Sequence, residues 1–166
     1  MKRNQRLKTL VFCAVLVAVQ VVLSRFLSVN AWNTKIGFGF VPVVLAAALF
    51  GVRSGALVGA MGDFLGAFLF PIGPYFPGFT ITLGVTGVAF GVALQKPTML
   101  RIVLAALFDQ LVLSLVLNSY WISVLYGSPY WGVLTSRIFQ CAITLPMEIV
   151  VTAALVKMLP RLRKQV

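Results

Sequence analysis

The chain has 166 residues, 60% hydrophobic and 10% charged, with a mean hydropathy of +1.01. A soluble globular domain carries about 25% charged residues, so this balance excludes one. At about 20 apolar residues per membrane-crossing helix, the length admits roughly six spans and their connections and no separate aqueous domain.

With no His and three acids, the chain has little from which to assemble a metal site or an acid/base pair, so no catalytic residues and no metal are expected. Cys13 and Cys141 fall inside apolar segments, where a thiol behaves as a small hydrophobe. The formal charge of +11 does not point to nucleic acid, because the bases flank long apolar segments instead of lining one polar face. No P-loop sequence occurs, so any ATP-driven step has to come from another subunit.

In chain order, a basic tail (Lys2, Arg3, Arg6, Lys8) precedes the first apolar run. No small-residue cleavage pattern follows before Arg25, so this run is expected to be retained as a span over about 9–25. Further spans are expected over about 36–52 and 54–70, separated by the turn Gly51-Val52-Arg53-Ser54. From Phe64 to Gln95 no charge occurs, a stretch too long for one helix. Three prolines in Pro71-Ile72-Gly73-Pro74-Tyr75-Phe76-Pro77 divide it, since proline removes a helical hydrogen bond and clashes with the preceding turn. The remaining spans are expected over about 78–95, 102–125 and 131–156, with Gly127-Ser128-Pro129 turning the chain between the last two.

The expected architecture is therefore all-α: a single membrane domain over 1–166 formed by a bundle of six transmembrane helices. Lys and Arg in short loops mark the cytoplasmic side. Six spans place eleven of the fourteen bases there, with both termini cytoplasmic.

Polar residues inside hydrocarbon are costly and therefore informative. Gln110, Ser114, Asn118 and Trp121 share one helical face, as do Arg137, Gln140, Thr144 and Glu148. These two faces meet if the last two spans are antiparallel neighbours, forming a cavity open to the outside. Arg25, Lys35, Tyr75 and Phe76 stand at the outer ends of other spans. Cations, amides and aromatics together suit a flat heteroaromatic ligand that carries carboxylates. Each residue also has a plainer reading: Arg25 snorkelling to headgroups, Lys35 solvated in a loop, Arg137 paired with Asp63 or Asp109, the aromatics an interfacial belt, and the span 5 stripe interhelical hydrogen bonding. Ala14-x-x-x-Ala18, Gly55-x-x-x-Gly59 and Gly62-x-x-x-Gly66 permit close helix approach, within the fold for the glycines and to a partner helix for span 1.

Leu23-Ser-Arg-Phe-Leu-Ser28, Lys35-Ile-Gly-Phe-Gly-Phe-Val-Pro42, Asp63-Phe-Leu-Gly-Ala67 and, most specifically, Phe70-Pro-Ile-Gly-Pro-Tyr-Phe-Pro-Gly-Phe-Thr80 resemble the folate-specific substrate-binding (S) components of energy-coupling factor (ECF) transporters. Leu117-Asn-Ser-Tyr-Trp121, Leu125-Tyr-Gly127 and Thr135-Ser-Arg137 extend the resemblance along nearly the whole chain. It implies a six-helix folate-binding protein of the prokaryotic cytoplasmic membrane. Such a protein takes up its vitamin with a transmembrane coupling subunit and two ATP-binding-cassette ATPases. It carries ligand-binding roles to Arg25, Lys35, Pro74, Tyr75, Phe76, Asn118, Trp121 and Arg137, and partner docking to Ala14 and Ala18. Asp109 falls where the family leads one to expect an apolar residue. The competing expectations are a small proton-coupled secondary transporter using Asp63, Asp109 or Glu148, and a membrane enzyme, which the scarcity of acids and the lack of histidine disfavour.

Overall fold

The structure, a computed structural model, describes residues 2–31 and 34–162, with side chains described over 5–28 and 36–160. Helix α1 (Lys2–Arg25) ends at the expected residue. An antiparallel hairpin follows, β1 (Ser28–Ala31) against β2 (Thr34–Gly37), in register from Ser28↔Gly37 to Ala31↔Thr34. Gly37 permits this pairing, since a Cβ there would stand 2.6 Å from that of Ser28.

The fold is helical as expected, with this small strand pair added, and the hairpin shortens the helix of the second apolar run, which does not extend over 36–52. Ile36 and Gly37 belong to β2, and helix α2 covers Phe40–Phe50, 11 residues. At about 1.5 Å per residue it spans only about 16 Å of a hydrocarbon layer about 30 Å thick. Its Val43, Val44 and Ala46 are completely buried. Such a helix is apolar on every side because protein surrounds it.

Gly51, at φ +87°, makes the tight turn into α3 (Val52–Leu69). The proline-rich segment is irregular and delivers the chain to α4 (Pro77–Ala93), which opens with Pro77, where a missing N–H costs nothing. Thr98 caps α5 (Met99–Leu107) by accepting from the Arg101 amide. A π-helical segment, Phe108–Leu117, then runs into α6 (Asn118–Tyr126), giving one continuous rod from Met99 to Tyr126. Gly127, at φ +63°, ends the rod in the left-handed conformation expected of a glycine stop. Helix α7 (Tyr130–Leu162) contains Pro146 without breaking.

Among the described residues, four helical stretches are long and apolar enough to cross a membrane: Gln5–Arg25, Val52–Leu69, Met99–Tyr126 and Tyr130–Pro160. Helices α2 and α4 are apolar but shorter. The chain is thus a multi-pass membrane protein.

Helices α3 and α4 approach through glycine. A Cβ on Gly55 would stand 2.8 Å from the Gly87 carbonyl, and one on Gly59 would collide with the Leu83 carbonyl. The glycine stripe of α3 therefore packs within the fold. Gly62 and Gly66 make room for the side chains of Gln20 and Arg25 on α1.

The two ends of the bundle differ. Val44, Ala47, Phe90, Leu94, Ile102, Ala106 and Leu159 form a solid apolar core drawn from α2, α4, α5 and α7. Arg53, Lys96, Arg101 and Lys157 are found toward this same end, at the α2–α3 and α4–α5 connections and near the close of α7. Toward the opposite end, below the hairpin and the proline-rich segment, the bundle is hollow.

Candidate ligand-binding cavity

A cavity of about 360 Å³ occupies the hollow end. Helix α1 contributes Gln20, Ser24 and Arg25, α3 contributes Asp63, and the proline-rich segment contributes Pro74, Tyr75 and Phe76. The rod contributes Asp109, Gln110, Ser114 and Asn118, and α7 contributes Arg137, Gln140 and Thr144. The π-helical segment accounts for the alignment on the rod. Its i→i+5 ladder holds more residues per turn than an α-helix, so positions four apart drift less around the axis.

Arg25 does not simply snorkel. Its Nη2 lies 3.8 Å from Asp63 Oδ1, both side chains being largely buried, and among the described residues its Nε has no hydrogen-bond partner. Asp63 Oδ2 accepts from Thr80 Oγ1 at 2.8 Å, and the Tyr75 hydroxyl lies 3.3 Å from Thr80 Oγ1. A polar chain thus joins α1, α3, α4 and the proline-rich cap at the cavity mouth. Arg137, 5% exposed, donates from Nη2 to Ser114 Oγ at 3.3 Å, and among the described residues no ion pair joins it to Asp109.

The aromatic residues fall into two groups. Tyr75 packs edge-on against Phe64, with centroids 5.9 Å apart, and lines the mouth. Phe76 lines the cavity and rests on Trp121, centroids 5.4 Å apart. Trp121 itself stands behind Phe76 and Gly78 and does not border the cavity. Its Nε1 donates to Thr82 Oγ1 at 3.2 Å, while that hydroxyl donates to the Gly78 carbonyl at 2.8 Å. Trp121 therefore holds the wall in place. Asn118 does border the cavity, and among the described residues its Oδ1 has no hydrogen-bond partner. Lys35 belongs by its backbone to β2, opposite Asn30, and its side chain lies outside the described residues.

At the floor, both polar stripes do more than line space. Gln110 donates from Nε2 to Glu148 Oε2 at 2.6 Å and accepts at Oε1 from Thr144 at 2.8 Å. Interhelical hydrogen bonding and cavity lining are thus served by the same residues. Glu148 is completely buried behind them. Asp109 Oδ1 accepts from Thr86 Oγ1 at 2.5 Å, and the Glu148 carboxyl stands nearby.

Gln20, Thr82 and Thr86 were not singled out by the sequence. Gln20, an amide within the apolar run of α1, carried a usable signal. The threonines carried little, since a helical Thr satisfies its hydroxyl on the carbonyl four residues back, as both Thr82 and Thr86 do.

On the surface, Ala14 and Ala18 are exposed on α1, beside Leu10, Val11, Val15 and Val22, which are also exposed.

Residues 8–156 match the family of ECF transporter substrate-specific components. The chain is similar to the folate transporter FolT of Clostridium novyi (strain NT), 32% identical over 160 residues, which are 95% of this chain and 93% of that protein. The folate transporter FolT of Leuconostoc mesenteroides is 29% identical over 147 residues, 84% of this chain and 79% of that protein. A crystal structure of FolT bound with folic acid superposes with a TM-score of 0.84 at 30% identity, covering 90% of this chain and 93% of that one. An S component for biotin from an ECF-type ABC transporter superposes with a TM-score of 0.72 at 19% identity, covering 100% and 96%, a likeness of fold.

Proposed function

Since the chain belongs to the substrate-specific components of ECF transporters, we propose that it is the folate-binding subunit of such an importer, resident in a prokaryotic cytoplasmic membrane. The observation that carries the reading is the cavity. Buried Arg137 and largely buried Arg25 face it with an aromatic cap and an amide, in a chain 32% identical to a folate transporter. Arginines take carboxylates, aromatic rings take a heterocycle, and the amide Asn118 takes ring donors or acceptors. Lys35 is assigned to the rim.

In this reading the chain forms one membrane domain of six spans, α2 and α4 included, with the basic end and both termini cytoplasmic and the cavity open outward. Folate is captured outside. A transmembrane coupling subunit, docked on the Ala14/Ala18 face of α1, and two ATP-binding-cassette ATPases then drive its release inward. The exposed alanines support the docking assignment, because small side chains let a partner backbone approach closely.

The test is a titration of the purified chain in detergent with folate, biotin, riboflavin and thiamin. Saturable one-to-one binding of folate alone is expected. Equal or tighter binding of another vitamin removes the assignment.

A further inference from the structure

The floor of the cavity contains a carboxylate that the cationic rim does not use. Asp109 borders the cavity while only 8% exposed, and among the described residues no basic side chain forms an ion pair with it. Thr86 occupies Oδ1, and Glu148 stands beside it, itself completely buried and tied to Gln110. Gln20 also borders the cavity, but its amide is turned onto α3, with Oε1 against Gly62 and Nε2 donating to the Gly59 carbonyl, so Asp109 is the acceptor that the floor offers. Buried acceptors are costly unless donors reach them, so the floor is built for a ligand edge rich in N–H groups.

One helical turn above, at Ser114, Arg137 supplies donors instead. The cavity is therefore polar in a fixed sense: a carboxylate at the floor, a guanidinium in the middle, and Arg25 at the mouth. Resting on the folate reading, we infer that Asp109, a carboxylate where the resemblance leads one to expect an apolar residue, is a specificity-determining residue particular to this chain, accepting the adjacent 2-amino and ring N–H donors of a 2-amino-4-oxo pteridine inserted ring-first. Two parallel N–H groups meet a carboxylate as an arginine fork does, with charge assistance. Arg137 then faces acceptors on the same ring, and the carboxylates of the tail remain at the mouth with Arg25. A site built to hydrogen-bond an N–H edge rejects analogues lacking it, because its own buried groups are left unpaired.

The alternative is a structural Asp109 that only ties α4 to the rod through Thr86. Two ligands separate these roles: folate, and the analogue in which hydrogen replaces the 2-amino group. Wild-type protein is expected to bind folate at least tenfold more tightly than the analogue. Asp109→Asn is expected to lose at least tenfold in folate affinity and to bind the two ligands within about twofold of each other. A merely structural residue would weaken both ligands alike and keep their ratio. The inference is overturned if wild-type protein binds the two equally, a comparison that needs no variant, or if Asp109→Asn preserves the wild-type ratio. Wild-type protein that binds no folate at all marks the failure of the folate reading itself.

Discussion

Arg25 and Arg137 differ in what they already hold, and that difference shapes what their loss should do. Arg25 is held by Asp63 only at a long 3.8 Å, so a ligand carboxylate can compete for it. Arg137 is braced by Ser114 deep in the wall. A desolvated charge-assisted hydrogen bond contributes about 1.5–3 kcal/mol, so Arg25→Ala and Arg137→Ala should each weaken folate binding roughly tenfold or more. Isothermal titration of correctly folded variants measures this, and unchanged affinity would place either residue outside the site. Trp121 calls for a different expectation, because Phe76 and Gly78 stand between it and the cavity. Trp121→Ala should lose about 1–2 kcal/mol of binding through the unsupported Phe76 ring. Trp121→Phe should recover most of it, losing only the bond to Thr82. Direct stacking on the ligand predicts instead that Phe76→Ala leaves the Trp121 contribution intact.

Among the elements, the α3–α4 pair depends on missing side chains. A methyl on Gly87 would meet the main chain of Gly55, whereas one on Gly84 would meet the Ala60 Cβ at 3.6 Å and the Ala56 carbonyl at 3.8 Å, both ordinary contacts. Gly87→Ala should therefore destabilise by about 1–3 kcal/mol as the helices are forced apart, and Gly84→Ala should be nearly neutral. Thermal unfolding of both variants in one detergent provides the comparison, and equal midpoints would show that the helices separate without cost. The rod makes the converse point about local structure. Gln110, Ser114 and Asn118 were recognisable as one face from their spacing. The π-helical ladder that brings Asp109 to the same cavity was not, since it follows from how the rod packs against α4 and α7.

For the whole molecule, capture and delivery should be separable. The cavity belongs to one end of the bundle, and the exposed Ala14/Ala18 face lies along the outside of α1. Replacing both alanines by Trp should leave folate binding by the isolated chain within a few-fold of wild type. The same change should abolish ATP-dependent uptake in liposomes that also contain the coupling subunit and ATPases. Loss of binding and uptake together would mean that the alanines support the fold. Uptake by this chain alone under a proton gradient would instead favour a secondary transporter working through Asp63, Asp109 or Glu148.

Composition and apolar run length were enough to establish a helical membrane protein, because hydrocarbon admits no other arrangement of so many unbroken apolar stretches. The glycine and proline stops at Gly51, Gly127 and Pro71–Pro77 followed from local backbone chemistry, which needs no partner to act. The polar stripes on the rod and α7 were legible for the same reason, since a helical period is local. Pairings were not. That Asp63 holds Arg25, that Trp121 stands behind Phe76, and that α2 is a short buried helix after a strand pair depend on which helices adjoin which. Long-range packing decides those contacts, and two residues forty positions apart leave no periodic mark on the chain.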